Sequence, residues 1–253
     1  MAMVEIQDTK TVKGPDTGNM NDFGEAIRAA LNLLITFDSD LMEIVGLSLH
    51  VSLAAIFIAS IIGLPLGAAI ALFHFPGRRF FSVFLNALMG LPPVVVGLIV
   101  YLSLSRSGPF GVFGLLYSPT AMIIAQVVLV TPIIAALTQQ VIEDLWMEYK
   151  DQLLSLGANP VSALPTLLWD GRFSLVTAIL AGFGRASAEV GAVMIVGGNI
   201  DHMTRVMTTA IALEVSKGDL ALALGLGIIL LCLSLGVNGA VYAVKEAAIR
   251  RHA

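Results

Sequence analysis

Residues 182–199 read GFGRASAEVGAVMIVGGN. The run is apolar enough to lie in a bilayer, yet it holds Arg185 and Glu189. Spaced i, i+4 on a continuous helix, the two share one face and can pair. If the span enters near Ser174, Arg185 lies roughly 16 Å in, near the middle of a ~30 Å hydrocarbon core. A lone charge there costs about 2.5–3.5 kcal/mol on insertion scales. Neither residue therefore faces lipid. Either the pair ties helices together inside a bundle, or it lines a path in which Arg185 offsets the charge of a passing anion. The adjacent carboxylate speaks against Arg185 as a free anion ligand. The closing Gly197-Gly198-Asn199 reads as a helix C-cap, or as backbone N–H groups turned toward an anion.

The rest of the chain makes the membrane reading general. Of 253 residues, 57% are hydrophobic and 13% charged, with a mean hydropathy of +0.89. Soluble domains carry roughly 45–50% apolar and about 25% charged residues. The single cysteine, Cys232, excludes an internal disulfide and a thiolate metal site, and reads as a buried, inert thiol. His50, His74, His202 and His252 are scattered without metal-ligand spacing. No G-x-x-x-x-G-K-[ST] loop, G-x-G-x-x-G turn or H-E-x-x-H helix is present. The reading is therefore of a chain with no catalytic residue, no metal site, no cofactor of its own and no nucleic-acid partner.

The expected fold class is an all-α membrane protein with five transmembrane helices. Residues 1–22 are polar and read as a disordered tail. Over 23–43, Phe23, Ala26, Ile27, Ala30, Leu31 and Leu34 form one apolar face beside Glu25 and Arg28, which predicts an amphipathic helix lying on the membrane surface. The transmembrane domain covers 44–245, with spans near 46–73, 80–104, 119–142, 174–198 and 219–244, and a tail over 246–253. Lys and Arg set the orientation. Arg78, Arg79, Lys150, Arg172, Lys245, Arg250 and Arg251 fall on one side, Arg106, Arg205 and Lys217 on the other, seven against three. The first group is expected to be cytoplasmic, which puts the C-terminus inside and the N-terminus outside.

Proline interrupts three of the spans. Pro65, the pair Pro92–Pro93, and Pro132 after Thr131 each remove a backbone donor. Freed carbonyls at membrane depth need neighbours or a wet cavity, so a polar interior path fits better than a passive anchor. The stretch 143–173 is the soluble piece with most content: EDLWMEYKDQLLSLGANPVSALPTLLWDGRF. Trp146, Tyr149, Leu153 and Leu156 fall on one helical face, Gly157 suits a left-handed C-cap, and Asn159 can cap a second helix begun by Pro160. Two short helices joined at a sharp bend are expected, offering a compact knob to a partner. An amphipathic helix over HMTRVMTTAIALEVSKGD, with Met203, Val206, Met207, Ala210 and Ile211 as its stripe, is expected on the opposite side.

That loop resembles the coupling loop of ABC importer permeases, E-A-A-x3-G-x9-I-x-L-P. The acidic start falls on Asp151, the alanine places on Gln152 and Leu153, the glycine on Gly157 followed by Ala158, and the aliphatic on Leu167. The last two places hold Trp169 and Asp170, and Leu164-Pro165 is out of register. FPGRRF, MGLPPVVVGLIVYLSLSRSGPFG, GRASAEVGAVMIVGGNI and TRVMTTAIALEVSKGD are similar to blocks of the oxyanion branch, and most similar to tungstate permeases. The resemblance implies a type I ABC permease fold and import of tungstate, with molybdate or sulfate as lesser choices. It implies a second copy of the chain, two ATP-binding subunits that hold the ATP and Mg, and an extracytoplasmic oxyanion-binding protein. It places the protein in the cytoplasmic membrane of a prokaryote. The alternative class is an ion-gradient-driven secondary transporter or channel. Such folds usually carry internal repeats, and none is visible here.

Overall fold

The computed structural model describes residues 39–73 and 75–252, together with Gly24, Ile27 and Arg28. Most of the expected surface helix, and all of the tail over 1–22, lie outside the described residues. The described chain is helical. The first helix, α1 (Ser39–Leu72), is followed by α2 (Arg78–Met89), α3 (Pro93–Leu104) and a 3-10 turn at Gly111–Phe113. Then come α4 (Pro119–Ser155), α5 (Pro160–Asp170), α6 (Arg172–Ser187), α7 (Gly191–Gly197), α8 (Met207–Lys217) and α9 (Leu220–His252).

The mast of the bundle is α4. Ser118 caps it by accepting from the Ala121 amide at 3.3 Å, and Pro119 occupies the first turn, where its missing N–H has no use. Pro132 sits inside it without ending it, because the surrounding turns are packed against other helices. One residue earlier, Thr131 donates its hydroxyl to the Val127 carbonyl at 2.7 Å. The most extensive neighbour of α4 is α1, and the two approach closely where α1 carries Gly63 and Gly67. A Cβ placed on Gly67 would run into the Ala135 carbonyl oxygen and lie 2.8 Å from Thr138 Cβ. Small residues four apart therefore let the two backbones meet, the usual device where lipid offers no hydrophobic drive for helix pairing.

Buried side chains then stack along α4. At one end Val96, Val100 and Leu104 of α3 meet Ala121, Ala125 and Leu129, with Ala192 and Val196 of α7. In the middle Ile56 and Ala59 of α1 meet Val130, Ile134, Phe183 and Ala186. At the other end Ala68, Ala71 and Leu72 meet Ile142, Trp146, Ala163 and Leu167.

Among the described residues three helices are long and apolar enough to cross a membrane: Leu41–Leu72, Pro119–Ser155 and Leu222–Val244. The count reaches five only if each of two bent pairs is one span. Expected span 80–104 is α2 plus α3, meeting at 100°, and expected span 174–198 is α6 plus α7, meeting at 59°. The two departures have different causes. Gly90, Leu91 and Pro92 separate α2 from α3, and Pro92 is extended at φ −65°, ψ 120°. The α6–α7 break is held open by polar contacts described below. The first long helix begins earlier than expected, at Ser39, so residues 39–43 are continuous with it. The last helix runs on through most of the expected tail. Cys232 is exposed on α9, not buried, because α9 touches little of this chain besides α8 and α6.

Candidate functional site

The elbow is built by two interlocking caps. At the C-terminus of α4, Gly157 takes φ +77°, its amide donates to the Leu154 carbonyl at 3.0 Å, and the Ala158 amide donates to Leu153 at 2.9 Å. This is the Schellman arrangement, which glycine enters without a Cβ penalty. Two residues later Asn159 Oδ1 accepts from the Ser162 amide at 2.8 Å, while Ser162 Oγ accepts from the Asn159 amide at 2.9 Å. That capping box starts α5, with Pro160 in its first turn. The first arm is not a separate short helix: residues 143–155 continue α4 without interruption. A push on the elbow therefore acts directly on a rod about 55 Å long at 1.5 Å per residue.

The side chains assigned to the elbow divide. Asp151, Gln152 and Gly157 are exposed, and Ala158 and Leu153 are half-buried. Leu167 is fully buried against α1 and α4, so it fastens α5 to the bundle. Trp146 is buried with it, whereas Leu156, expected on the same stripe, is 83% exposed. The helix ends at Ser155, and the turn carries Leu156 off the face. Val161 and Trp169 stand exposed on α5. At its far end Arg172 lies 4.8 Å above the Trp169 ring and 4.5 Å above Phe173, and donates to the Trp169 carbonyl at 2.6 Å.

Arg185 and Glu189 do pair, Nη2 to Oε2 at 3.5 Å, but not on one continuous helix. The chain breaks after Ser187. Glu189 Oε1 accepts from the Ala192 amide at 3.2 Å and so serves the first turn of α7. Its backbone carbonyl accepts the Thr208 hydroxyl of α8 at 2.9 Å. Gln126 of α4 donates from Nε2 to the Ala186 carbonyl at 3.2 Å. These bonds satisfy backbone groups that the helix break sets free. The pair is asymmetric: the Glu189 side chain is 6% exposed and that of Arg185 38%. A cavity of about 20 Å³ lies beside it, lined by Ser48, Ser52, Gln126, Glu189 and Thr208 among others. That is room for about one water among several polar partners.

The second break sits alongside. A Cβ on Gly191 would lie 2.8 Å from Val94 Cγ2, so the chain just after Pro92–Pro93 abuts the start of α7. Gly197, Gly198 and Asn199 are at the far end of α7, roughly 10 Å away by helix rise. There Gly198 at φ +74° closes the helix, its amide donating to Met194 at 2.9 Å. That amide is thus used in a C-cap and is not turned toward a ligand. Thr204 donates to the Gly197 carbonyl at 2.6 Å. Met207 and Ala210 on α8, and Val206 just before it, are buried, while Met203 is exposed in the preceding turn. Gln126 and Thr208 escaped the sequence reading. A lone glutamine inside AMIIAQVVLV was the available signal. Among the described residues no group of three His, Cys, Asp or Glu side chains is placed to hold a metal ion.

No protein-family model matches the chain. It is 41% identical over 227 residues, 90% of its length, to the tungstate uptake system permease TupB of Peptoclostridium acidaminophilum, all of which it covers. It is 35% identical to TupB of Campylobacter jejuni across 88% of this chain and 93% of that one. The chain belongs to the ABC transporter permeases of this anion-uptake family. A probable anion ABC transporter permease of Haloferax volcanii is also similar, 40% identical across 78% of the permease and 88% of its relative. The permease is accordingly a multi-pass protein of a prokaryotic inner membrane. Bent spans are at home in this setting, since irregular backbone in a membrane is tolerated where it is buried in protein or lines a cavity.

Proposed function

We propose that the permease is the translocation subunit of an ATP-driven importer of tungstate. Two copies of the chain enclose one path. Each binds an ATP-binding subunit, which carries ATP and Mg, and an extracytoplasmic binding protein delivers the anion. The observation that carries the reading is the doubly capped elbow at the end of an unbroken α4. It offers exposed Asp151, Gln152, Gly157 and Trp169 to a partner, and it leads without a joint into the helix that packs against both breaks. The names of the two TupB relatives support tungstate among the oxyanions. The elbow faces the cytoplasm, as the Lys and Arg distribution indicates. Arg185 is held on one side by Glu189 and its side chain is 38% exposed, so it can weakly offset a passing dianion without trapping it. Pro92, Pro93, Thr131 and Pro132 shape the helices around that point. The permease supplies no catalytic group; hydrolysis belongs to the ATP-binding subunit.

The test is ATPase activity of the reconstituted assembly with its binding protein. Tungstate should stimulate it at lower concentration than molybdate, and sulfate least. Equal stimulation by all three would withdraw the tungstate assignment. Transport by the permease without an ATP-hydrolysing subunit would withdraw the whole reading.

A further inference from the structure

The end of the molecule that carries the elbow holds a second cleft, lined by residues outside those assigned to the elbow and the path. About 550 Å³ in volume, it opens between α2 and the inner half of α4. Its lining sets Arg78, Arg79 and Lys150 against a single carboxylate, Glu143. Arg78 is committed elsewhere. It donates to the Ile70 and Ala71 carbonyls at 2.7 and 2.9 Å, closing the end of α1, and it pairs with Glu143. Glu143 is therefore neutralised within the wall. Arg79 and Lys150 are exposed and make no ion pair among the described residues.

One polar residue of the wall is buried. Gln139, 4% exposed, donates to Ser82 Oγ at 2.7 Å and to Glu143 at 3.0 Å, and its Oε1 has no partner among the described residues. Along the outer side of α2 the chemistry changes. Phe80 and Phe84 stack with centroids 6.0 Å apart, and both are exposed together with Val83. Two free cations at a span end, beside an exposed apolar strip, form a two-part surface.

We propose that this cleft binds the phosphate-bearing headgroup of an anionic phospholipid. Arg79 and Lys150 meet the phosphate oxygens, Ser82 offers its hydroxyl beneath while Gln139 holds it in place, and the acyl chains lie along Phe80, Val83 and Phe84. The volume falls in the range of small-molecule sites, roughly 300–1,000 Å³. Basic pockets between transmembrane helices, on the side carrying the positive residues, suit such headgroups. A free tetrahedral oxyanion shares the phosphate chemistry, but it has no use for the phenylalanine strip. Because Lys150 lies on the last turns of α4 before the elbow, an occupied cleft braces α4 against α2.

The test uses the full-length permease in neutral detergent, with phosphatidylglycerol or phosphatidylcholine added and bound lipid counted by native mass spectrometry. A parallel arm adds inorganic phosphate. Wild type should retain phosphatidylglycerol in preference to phosphatidylcholine. Arg79→Gln should weaken that retention about fivefold, and Arg79→Gln with Lys150→Gln about 25-fold, from the usual contribution of one basic side chain at an anionic membrane. Both side chains are exposed and unpaired, so the variants should keep the wild-type melting temperature. Equal phosphatidylglycerol retention by wild type and the double variant overturns the proposal. So does a charge-dependent loss seen for inorganic phosphate alone, which would assign the cleft to a free oxyanion.

Discussion

Glu189 serves two neighbours with one carboxylate. One oxygen starts α7 and the other faces Arg185, while the side chain itself is almost wholly buried. Removing Arg185 leaves that carboxylate buried and short of a partner, at a cost of roughly 1–3 kcal/mol. We therefore expect Arg185→Ala to lower the melting temperature and tungstate uptake more than Arg185→Ala combined with Glu189→Gln, which keeps an acceptor for the Ala192 amide. A single variant that matched wild type in both measurements would refute the buried-pair account. Gly157 is a second residue with a decisive local role. At φ +77° any L side chain is strained, by about 1–2 kcal/mol. Gly157→Val should reduce the amount of ATP-binding subunit that co-purifies with a tagged permease. Gly157→Asn, which tolerates the left-handed region, should keep most of it.

At the scale of elements, the α1–α4 contact depends on the absence of side chains at Gly63 and Gly67. Gly67→Val should abolish monodisperse protein in size-exclusion chromatography, since the new Cβ collides with backbone that cannot yield. Gly236→Val on α9 is the matched control: a Cβ there meets nothing within 4 Å, so the variant should elute like wild type. Element breaks follow the same logic of local chemistry read by neighbours. Pro92–Pro93 announced a break from sequence, because two missing donors cannot be absorbed in one helix. The α6–α7 break gave no such sign. GRASAEVGA contains no proline, and i, i+4 spacing of Arg185 and Glu189 fits a continuous helix. The break exists because Gln126 and Thr208, distant in sequence, supply hydrogen bonds to the Ala186 and Glu189 carbonyls.

For the whole molecule, the two ends differ in a way that labelling can read. Val112, 96% exposed in the loop after α3, and Leu156, at the elbow, lie at opposite ends of α4. With Cys232→Ser as background, Leu156→Cys should react with an impermeant maleimide only in inside-out vesicles. Val112→Cys should react only in right-side-out ones. The reverse pattern would invert the proposed orientation.

Much of this architecture is legible in the order of residues alone. Hydropathy over 20-residue windows marks where the chain can cross, and the Gly157–Asn159–Pro160 run specifies the elbow, because capping is local chemistry between residues a few positions apart. The family resemblance rested instead on particular motif blocks, among them GRASAEVGAVMIVGGNI. What only the tertiary structure decided is non-local. It bent the expected span 174–198, buried Leu167 while exposing Leu156 and Cys232, used the Gly198 amide in a cap, and joined Gln126 and Thr208 to the charged pair. The physical reason is that a backbone carbonyl freed inside a membrane must find a donor wherever the fold brings one, and sequence spacing does not record which distant helix will supply it.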